Sequence, residues 1–210
     1  MTSEFRPAMD YVLWNECDDM TACGKRVADI GGGFVNDKRD RGGATVYGLS
    51  KVIRDREGVT PAEMGIPNFS DASLRLTTRE AAESVYRRIY WDAYRYEQLA
   101  CQDVATKIMD AAVNINFSPP RVVAHRLAQQ AANALGCSLS PDGILGPHSI
   151  DGINSLDPQR FLAAFVAQLV AFYEAIIAAA HERAVAENDP VLEQECWRGI
   201  WMARAHRVPT

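Results

Sequence analysis

The chain has 210 residues, of which 48% are hydrophobic, and a formal net charge of −5. These values predict one globular domain with a sizeable core, and the negative charge gives no electrostatic basis for binding nucleic acid or a membrane surface. Five widely spread cysteines match neither a secreted disulfide framework nor a metal site. The first ten residues carry no signal-peptide pattern, so we expect synthesis in a reducing cytoplasm without a cleavable signal.

The first predicted element is a helix from Phe5 to Glu16. Its apolar positions recur at helical spacing, at Phe5, Met9, Val12 and Leu13, and Glu16 continues the same stripe. An apolar neighbourhood would raise the pKa of this carboxyl group and keep it protonated near neutral pH. The alternative is a surface glutamate at a fraying helix end.

The glycine-rich stretch Gly32–Gly48 (GGFVNDKRDRGGATVYG) has the composition of a tight hairpin. Paired glycines supply backbone freedom at two corners, charged residues crowd between them, and Thr45–Tyr47 predicts a short strand. A hairpin that presents an aspartate and a threonine beside a helix end can hold a water molecule.

FRPAMDYVLWNE followed by GGFVNDKRDRGGATVYGLS resembles the signature of the glycoside hydrolase 108 muramidases, a lysozyme-like group of phage endolysins and secretion-associated peptidoglycan hydrolases. The resemblance implies cleavage of the β-1,4 bond between N-acetylmuramic acid and N-acetylglucosamine, without a metal or cofactor. Glu16 would be the general acid. Asp40 would act on a water or stabilise the transition state, and Thr45 would position that water.

The chain departs from the family pattern by fifteen extra residues, 17–31, between Glu16 and Gly32. Without them Glu16 and Asp40 are 24 − 15 = 9 positions apart, which is the family spacing. A second alignment instead keeps KRVADI next to the glycines and places Gly31 where the acid should be. In that case the chain has lost its catalytic acid and binds peptidoglycan without cleaving it.

We expect the 17–31 insertion to be a looped excursion, because closing a loop of this length adds little entropic cost. It would act as a lid, as a redox gate through a Cys17–Cys23 disulfide, or as a neutral surface insertion. Alternatively, it disables or weakens the active site and leaves a protein that binds peptidoglycan without cleaving it. A further alternative is an exported regulator or toxin that this insertion holds inactive until delivery.

From Leu49 the pattern predicts helices. Capping boxes at Thr60–Glu63 and Thr77–Glu80 each mark a helix start, and residues 67–76 between them are predicted to be a loop. The second helix carries an apolar stripe through Ala81, Val85, Ile89 and Tyr90.

Two aromatic residues are candidates for binding substrate. Trp91 with its neighbour Tyr90 matches a Tyr-Trp pair of the family, and it either lines the sugar groove or packs in the helix core. Tyr47 is a further candidate for the cleft.

Asp103–Asn116 is predicted to be a helix whose DAAVN segment matches the family. Asp110 and Asn114 share one face of it, and we assign Asn114 a cleft-lining, substrate-binding role and Asp110 a structural one. A helix over Arg121–Leu135 is predicted to end at Gly136.

Residues 141–156 (PDGILGPHSIDGINSL) resemble the family's small peptidoglycan-binding element, with a helix starting near Ser149. Asp157-Pro158 then caps a long apolar helix, which we interpret as packed and amphipathic rather than membrane-spanning. Trp197 and Trp201 are predicted to pack in the core or the tail.

The predicted fold class is therefore α+β and predominantly helical, a lysozyme-like domain with a small β-hairpin beside the catalytic helix. Residues 1–135 form the catalytic region, and residues 136–210 a helical peptidoglycan-binding-like region packed on the same domain. We expect a monomer whose partner is the peptidoglycan glycan strand, without nucleic acid or membrane contact. It would act in the periplasm after release through a holin or a secretion system.

Overall fold

The computed structural model describes residues 2–15, 34, 36, 43–115, 122–188 and 198–209. The α-helices in this part of the chain are, in order, α1 (Phe5–Leu13), α2 (Lys51–Arg56), α3 (Asp71–Leu74), α4 (Arg79–Tyr86), α5 (Gln102–Ile115), α6 (Val123–Ala134), α7 (Pro147–Asn154), α8 (Pro158–Glu187) and α9 (Arg198–His206). The prediction of a predominantly helical, lysozyme-like fold is confirmed. Of the predicted hairpin, the described residues contain an isolated antiparallel bridge between Val46 and Leu49.

The chain divides into two compact units. One contains Glu4–Glu97, and the other contains Met1–Ser3 with Gln98–Thr210. The sequence predicted a different division, by function, into a catalytic region before residue 136 and a glycan-binding region after it. That division stays a prediction.

The amphipathic pattern predicted for α1 is present. Its buried residues are Ala8, Met9, Val12 and Leu13, which recur at helical spacing. The α-helix ends at Leu13, earlier than predicted, although Trp14 keeps helical backbone angles (φ −61°, ψ −42°). Glu16 and the 17–31 insertion lie outside the described residues.

Four charged side chains join the outer surface of α1 to α4. Arg6 reaches Glu83 at 3.1 Å, and Arg79 bridges Asp10 at 2.6 Å and Glu83 at 2.7 Å. The Arg6 and Asp10 side chains also pair along α1 at 3.4 Å. Because most of these groups are exposed, the network fixes the position of α1 more than it contributes to stability.

The capping box at Thr60 forms, but no helix follows it. Thr60 Oγ1 accepts from the Glu63 amide at 3.3 Å, and the Glu63 carboxylate accepts from the Thr60 amide at 2.8 Å. The chain then turns at Gly65, whose φ of +66° lies in the left-handed region, and Pro67 follows. The helix predicted from this signal is therefore wrong.

Two further boundaries in this region differ from the prediction. Residues 67–76 contain the single-turn helix α3, which Ser70 caps by accepting from the Ser73 amide. Helix α4 is capped by Thr78, whose side chain accepts from the Ala81 amide, and not by Thr77. Beyond α4 the helix widens into a π-helical segment, Arg87–Asp92, and a 3-10 turn follows at Tyr96–Gln98.

The unit that contains residues 98–210 is built from longer helices. The predicted helix over Asp103–Asn116 is confirmed as α5, and α6 is followed by Gly136 at φ +102°. Asp157 caps α8 as predicted, with its carboxylate accepting from the Arg160 amide at 2.9 Å. By length and composition α8 would be able to cross a membrane, and 33% of its most apolar stretch is buried.

A buried charged cluster joins α5 to α9. Lys107 and Asp110 are each 1% exposed, and Arg204 Nη2 donates to Asp110 Oδ1 at 2.8 Å. Lys107 Nζ donates to the carbonyl oxygens of Arg204 and Arg207 at 2.6 and 2.7 Å, at the C-terminal end of α9. Burial lowers the pKa of Lys107 to about 8, although the carboxylate of Asp110 acts in the opposite direction. The structural role predicted for Asp110 agrees with these contacts.

The segment between α6 and α7 is organised around Gln129. Its amide nitrogen lies 3.0 Å from Asp142 Oδ1, the Ile144 carbonyl and Ser149 Oγ, while its oxygen accepts from the Gly143 amide at 2.9 Å. Helix α7 begins at Pro147 with Gly146 as its N-cap, so the predicted start near Ser149 is two residues late.

Candidate active site

The candidate site centres on the turn that precedes α2. The Leu49 amide donates to the Val46 carbonyl at 2.8 Å. The two central residues, Tyr47 and Gly48, have φ values of +48° and +76°, as in the turns that join tight hairpins. Tyr47 therefore belongs to the turn and not to the strand predicted over Thr45–Tyr47.

Thr45 lies just before this turn and is partly exposed. Its hydroxyl group donates to the Gly43 carbonyl at 3.2 Å. Because this bond uses the only proton of the hydroxyl, the oxygen keeps acceptor capacity for a water molecule. A water that donates to Thr45 keeps its own lone pairs available for nucleophilic attack.

A side chain of α4 supports the strained backbone of Tyr47. A left-handed conformation costs a non-glycine residue about 1–2 kcal/mol. The Tyr86 hydroxyl donates to the Tyr47 carbonyl at 2.9 Å, and the Tyr86 ring stacks on Tyr90 with centroids 5.8 Å apart. The ring of Tyr47 itself is attached to a fixed backbone and is partly exposed.

Arg54 holds the other end of the turn. Its guanidinium donates to the Leu49 carbonyl and lies over the Phe69 ring, 5.1 Å from the centroid. Arg54 is only 2% exposed, and this burial lowers the pKa of its guanidinium group. Neither Arg54 nor Tyr86 was predicted to support the site, because their bonds to this turn leave no motif in the sequence.

Trp91 lies in the core of the same unit. It is 2% exposed, and its ring meets Phe5 and Tyr96 edge to face, with centroids 5.8 and 6.0 Å away. A ring enclosed in this way presents no face to a sugar. Its burial supports the packing role that the sequence left open, and not the predicted role in substrate binding.

Asn114 belongs to the other unit and is partly exposed. Its Oδ1 accepts from the hydroxyl group of Tyr173 on α8 at 2.6 Å, and the Tyr173 ring stacks on Trp201 at 5.5 Å. This stacking agrees with the packing role predicted for Trp201. Asn114 therefore links α5 to α8, and its predicted contact with substrate stays a prediction.

The structure thus brings Thr45 and Tyr47 close together in the chain, with Thr45 just before the turn and Tyr47 within it. Glu16, Asp40, Gly31 and Trp197 lie outside the described residues, as do Cys17 and Cys23. Among the residues that are described, no group of three or more histidine, cysteine, aspartate or glutamate side chains is arranged to hold a metal ion.

Comparison with known proteins identifies the region that carries this turn. The family model of glycosyl hydrolase 108 matches residues 25–115. The matched stretch contains Asp40, Thr45 and Tyr47, and it begins 25 − 16 = 9 residues after Glu16. No curated protein gives a match to the chain.

Ten chains of solved structures match. One of them is the structure of Brucella abortus SagA, with a TM-score of 0.57 and 19% sequence identity, covering 97% of this chain and 96% of that chain. This likeness shows a shared fold. Residues 25–115 are therefore similar to the glycosyl hydrolase 108 family, which agrees with the resemblance found in the sequence.

Proposed function

We propose that the chain is a peptidoglycan hydrolase that cleaves the β-1,4 bond between N-acetylmuramic acid and N-acetylglucosamine. The observation that carries this proposal is the glycosyl hydrolase 108 match over residues 25–115. That stretch includes Asp40 and Thr45, two of the three residues to which we assign catalytic roles.

In the proposed mechanism Glu16 protonates the glycosidic oxygen as the sugar–oxygen bond breaks. Positive charge then develops on the sugar ring, and Asp40 either stabilises this oxocarbenium-like state or activates the attacking water. Thr45 orients that water. The hydrogen bond from its hydroxyl to Gly43 supports this role, because it leaves the oxygen as an acceptor toward the water.

One observation favours a second candidate, a peptidoglycan binder without hydrolytic activity. The family match begins at Lys25 and leaves out the Phe5–Glu16 segment. An alignment that starts there keeps KRVADI next to the glycines and places Gly31 where the acid should be. Such a chain would hold the glycan with an intact fold and would not cleave it.

The decisive experiment measures the fall in turbidity of Gram-negative cells whose outer membrane has been permeabilised. Three proteins are compared: the parent chain, Glu16→Gln and a chain that lacks residues 17–31. Lysis by the parent but not by Glu16→Gln identifies the acid. Lysis by the deletion variant alone makes the insertion inhibitory, whereas no lysis by three folded proteins that still bind peptidoglycan establishes the second candidate.

The role of Thr45 is tested by Thr45→Val, which removes the hydroxyl group at nearly constant shape. We expect its rate of peptidoglycan hydrolysis to fall by about 10²-fold, because the water is no longer oriented. Thr77→Val makes the same change at a buried position and serves as the control. Equal rates for Thr45→Val and the parent would contradict the assigned role.

We further propose that the protein is made in the cytoplasm and acts in the periplasm after release through a holin or a secretion system. Expression in a Gram-negative host with and without a co-expressed holin tests this point. Lysis that requires the holin supports the proposal. Lysis without it would show that the chain crosses the membrane unaided.

A further inference from the structure

We infer that Trp14 and Tyr11 form a binding surface for a sugar ring of the glycan strand. This inference rests on the proposed function for its substrate class. It adds a binding site, on the last turn of α1 and the residue that follows it, that the family resemblance did not assign.

The exposure of Trp14 is the first observation. Trp14 is 43% exposed, and it is the only aromatic residue among the large hydrophobic side chains that the described residues leave exposed. By contrast, Trp91 is buried in the core and Trp201 stacks on Tyr173. An indole with 43% of its surface exposed forgoes a substantial part of the free energy of burial that normally places tryptophan in a core or an interface.

The geometry of the pair is the second observation. Tyr11 and Trp14 lie one helical turn apart, with ring centroids separated by 6.3 Å and ring planes inclined at 51°. Two inclined aromatic faces suit a pyranose, whose C–H groups form apolar faces and whose hydroxyl and acetamido groups project from its edge. The C–H groups pack on the electron-rich ring faces.

The contacts that hold the end of α1 are the third observation. Asp10 lies one turn before Trp14 on the same row of α1, and Arg79 holds its carboxylate at 2.6 Å. The Trp14 amide continues the helical bonding by donating to the carbonyls of Asp10 and Tyr11. A binding surface on a fixed helix places its ligand more accurately than one on a loop.

The chain itself links this surface to the proposed acid. Glu16 follows Trp14 by two residues, so covalent geometry keeps their Cα atoms within about 7 Å of each other. A sugar ring held on Trp14 would therefore lie within reach of the same glycan strand as the proposed acid. The aromatic pair would contribute to substrate binding and would take no part in proton transfer.

Binding is measured on the full chain carrying Glu16→Gln, so that the readout does not depend on hydrolysis. The probe is the tetrasaccharide of two N-acetylglucosamine–N-acetylmuramic acid repeats, titrated calorimetrically. We expect Trp14→Ala to weaken binding about tenfold, Tyr11→Ala to weaken it less, and Trp14→Phe to retain most of the affinity. Val185→Ala, at a residue that is 68% exposed on α8, is the matched control.

The same substitutions in the chain with Glu16 intact give a second readout. Trp14→Ala should raise KM for soluble glycan strands and leave kcat nearly unchanged, since it removes uniform binding. If the parent does not hydrolyse peptidoglycan but Trp14→Ala still weakens tetrasaccharide binding, the proposed function fails and this inference stands. Unchanged affinity in a folded Trp14→Ala protein, or no binding by the Glu16→Gln chain, overturns the inference.

Discussion

Among the described residues, the α-helices of residues 4–97 contain four to nine residues, whereas those of residues 98–210 contain eight to 30. In the first region, three of these short helices are capped by a side-chain hydroxyl group that accepts a hydrogen bond from a backbone amide in the first turn. The capping residues are Ser50, Ser70 and Thr78. In the second region, long helices bury Lys107, Asp110 and Arg204 between them. The turn with Thr45 and Tyr47 therefore lies where the backbone depends on individual polar contacts. Substitutions there should change the site while the fold persists, and substitutions in the charged cluster should lower the free energy of unfolding.

The largest expected effect is that of Asp110→Ala. It leaves the cations of Lys107 and Arg204 buried without their carboxylate, and we expect a loss of about 3–5 kcal/mol in the free energy of unfolding. Glu174→Ala breaks the exposed Glu174–Arg198 pair and should cost less than about 1 kcal/mol. Urea unfolding of both variants measures the difference, and equal losses would contradict the contrast between buried and exposed charge.

The next effect concerns acid stability. Burial lowers the pKa of His125 to about 3, from the value of 6.5 that a histidine has in the unfolded chain. Between these values the unfolded chain binds a proton that the folded chain does not, so stability falls as the pH drops from about 6.5 to 3. The contribution of this histidine reaches at most about 1.4 kcal/mol per pH unit.

His125→Gln should flatten this part of the stability profile, whatever its effect at neutral pH. His148→Gln, at an exposed position of α7, should leave the profile unchanged. Unfolding by urea at several pH values between 3 and 7 provides the comparison. Parallel profiles for His125→Gln and the parent would exclude His125 as a source of acid lability.

In the first region, Tyr47→Gly distinguishes the effect of the left-handed backbone at this position from the role of the phenol ring. Glycine adopts the left-handed conformation without steric cost, so relief of strain should offset much of the lost packing, and the net change in stability should stay within about 1 kcal/mol. Tyr86→Phe removes the bond to the Tyr47 carbonyl and should cost about 1 kcal/mol. A large loss of hydrolysis by stable Tyr47→Gly protein would place the phenol ring in the substrate site, and full activity would exclude it.

The smallest contrast tests which threonine begins α4. Thr78→Ala removes the cap on the Ala81 amide and should cost about 1 kcal/mol. Thr77→Val replaces a buried hydroxyl group without a hydrogen-bond partner and should be neutral or stabilising. Melting temperatures of the two variants decide between them, and the reverse order would mean that the N-cap is Thr77.

Features that depend on residues within one helical turn of each other were predicted correctly from the sequence. The apolar stripe of α1, the Asp157 cap of α8 and the glycine after α6 each depend on neighbouring residues. The capping box at Thr60 shows the limit of such local signals. Its hydrogen bonds form, but the chain turns at Gly65, so no helix follows. The sequence contained both features, and their relative strength depends on the surrounding packing.

Contacts between distant residues were not predicted. The bond from Tyr86 to Tyr47 spans 39 positions, and those from Lys107 and Arg204 span more than 90. No periodicity connects such pairs, so the support of the candidate turn and the buried cluster appear only in three dimensions. Trp91 was ambiguous for the same reason, because its burial depends on Phe5, which lies on α1.

The bond from Lys107 to the end of α9 also imposes an order on synthesis. Lys107 and the Arg204 carbonyl that accepts from it are 97 positions apart, so at 5–20 residues per second the lysine is made about 5–20 s before its partner. During that interval Lys107 and Asp110 lack the arginine and the carbonyls that satisfy them in the folded unit. Burying them early would be unfavourable, so this face of α5 should stay hydrated until α9 is made. The synthesis of α9 thus sets the earliest time at which this part of the unit can close.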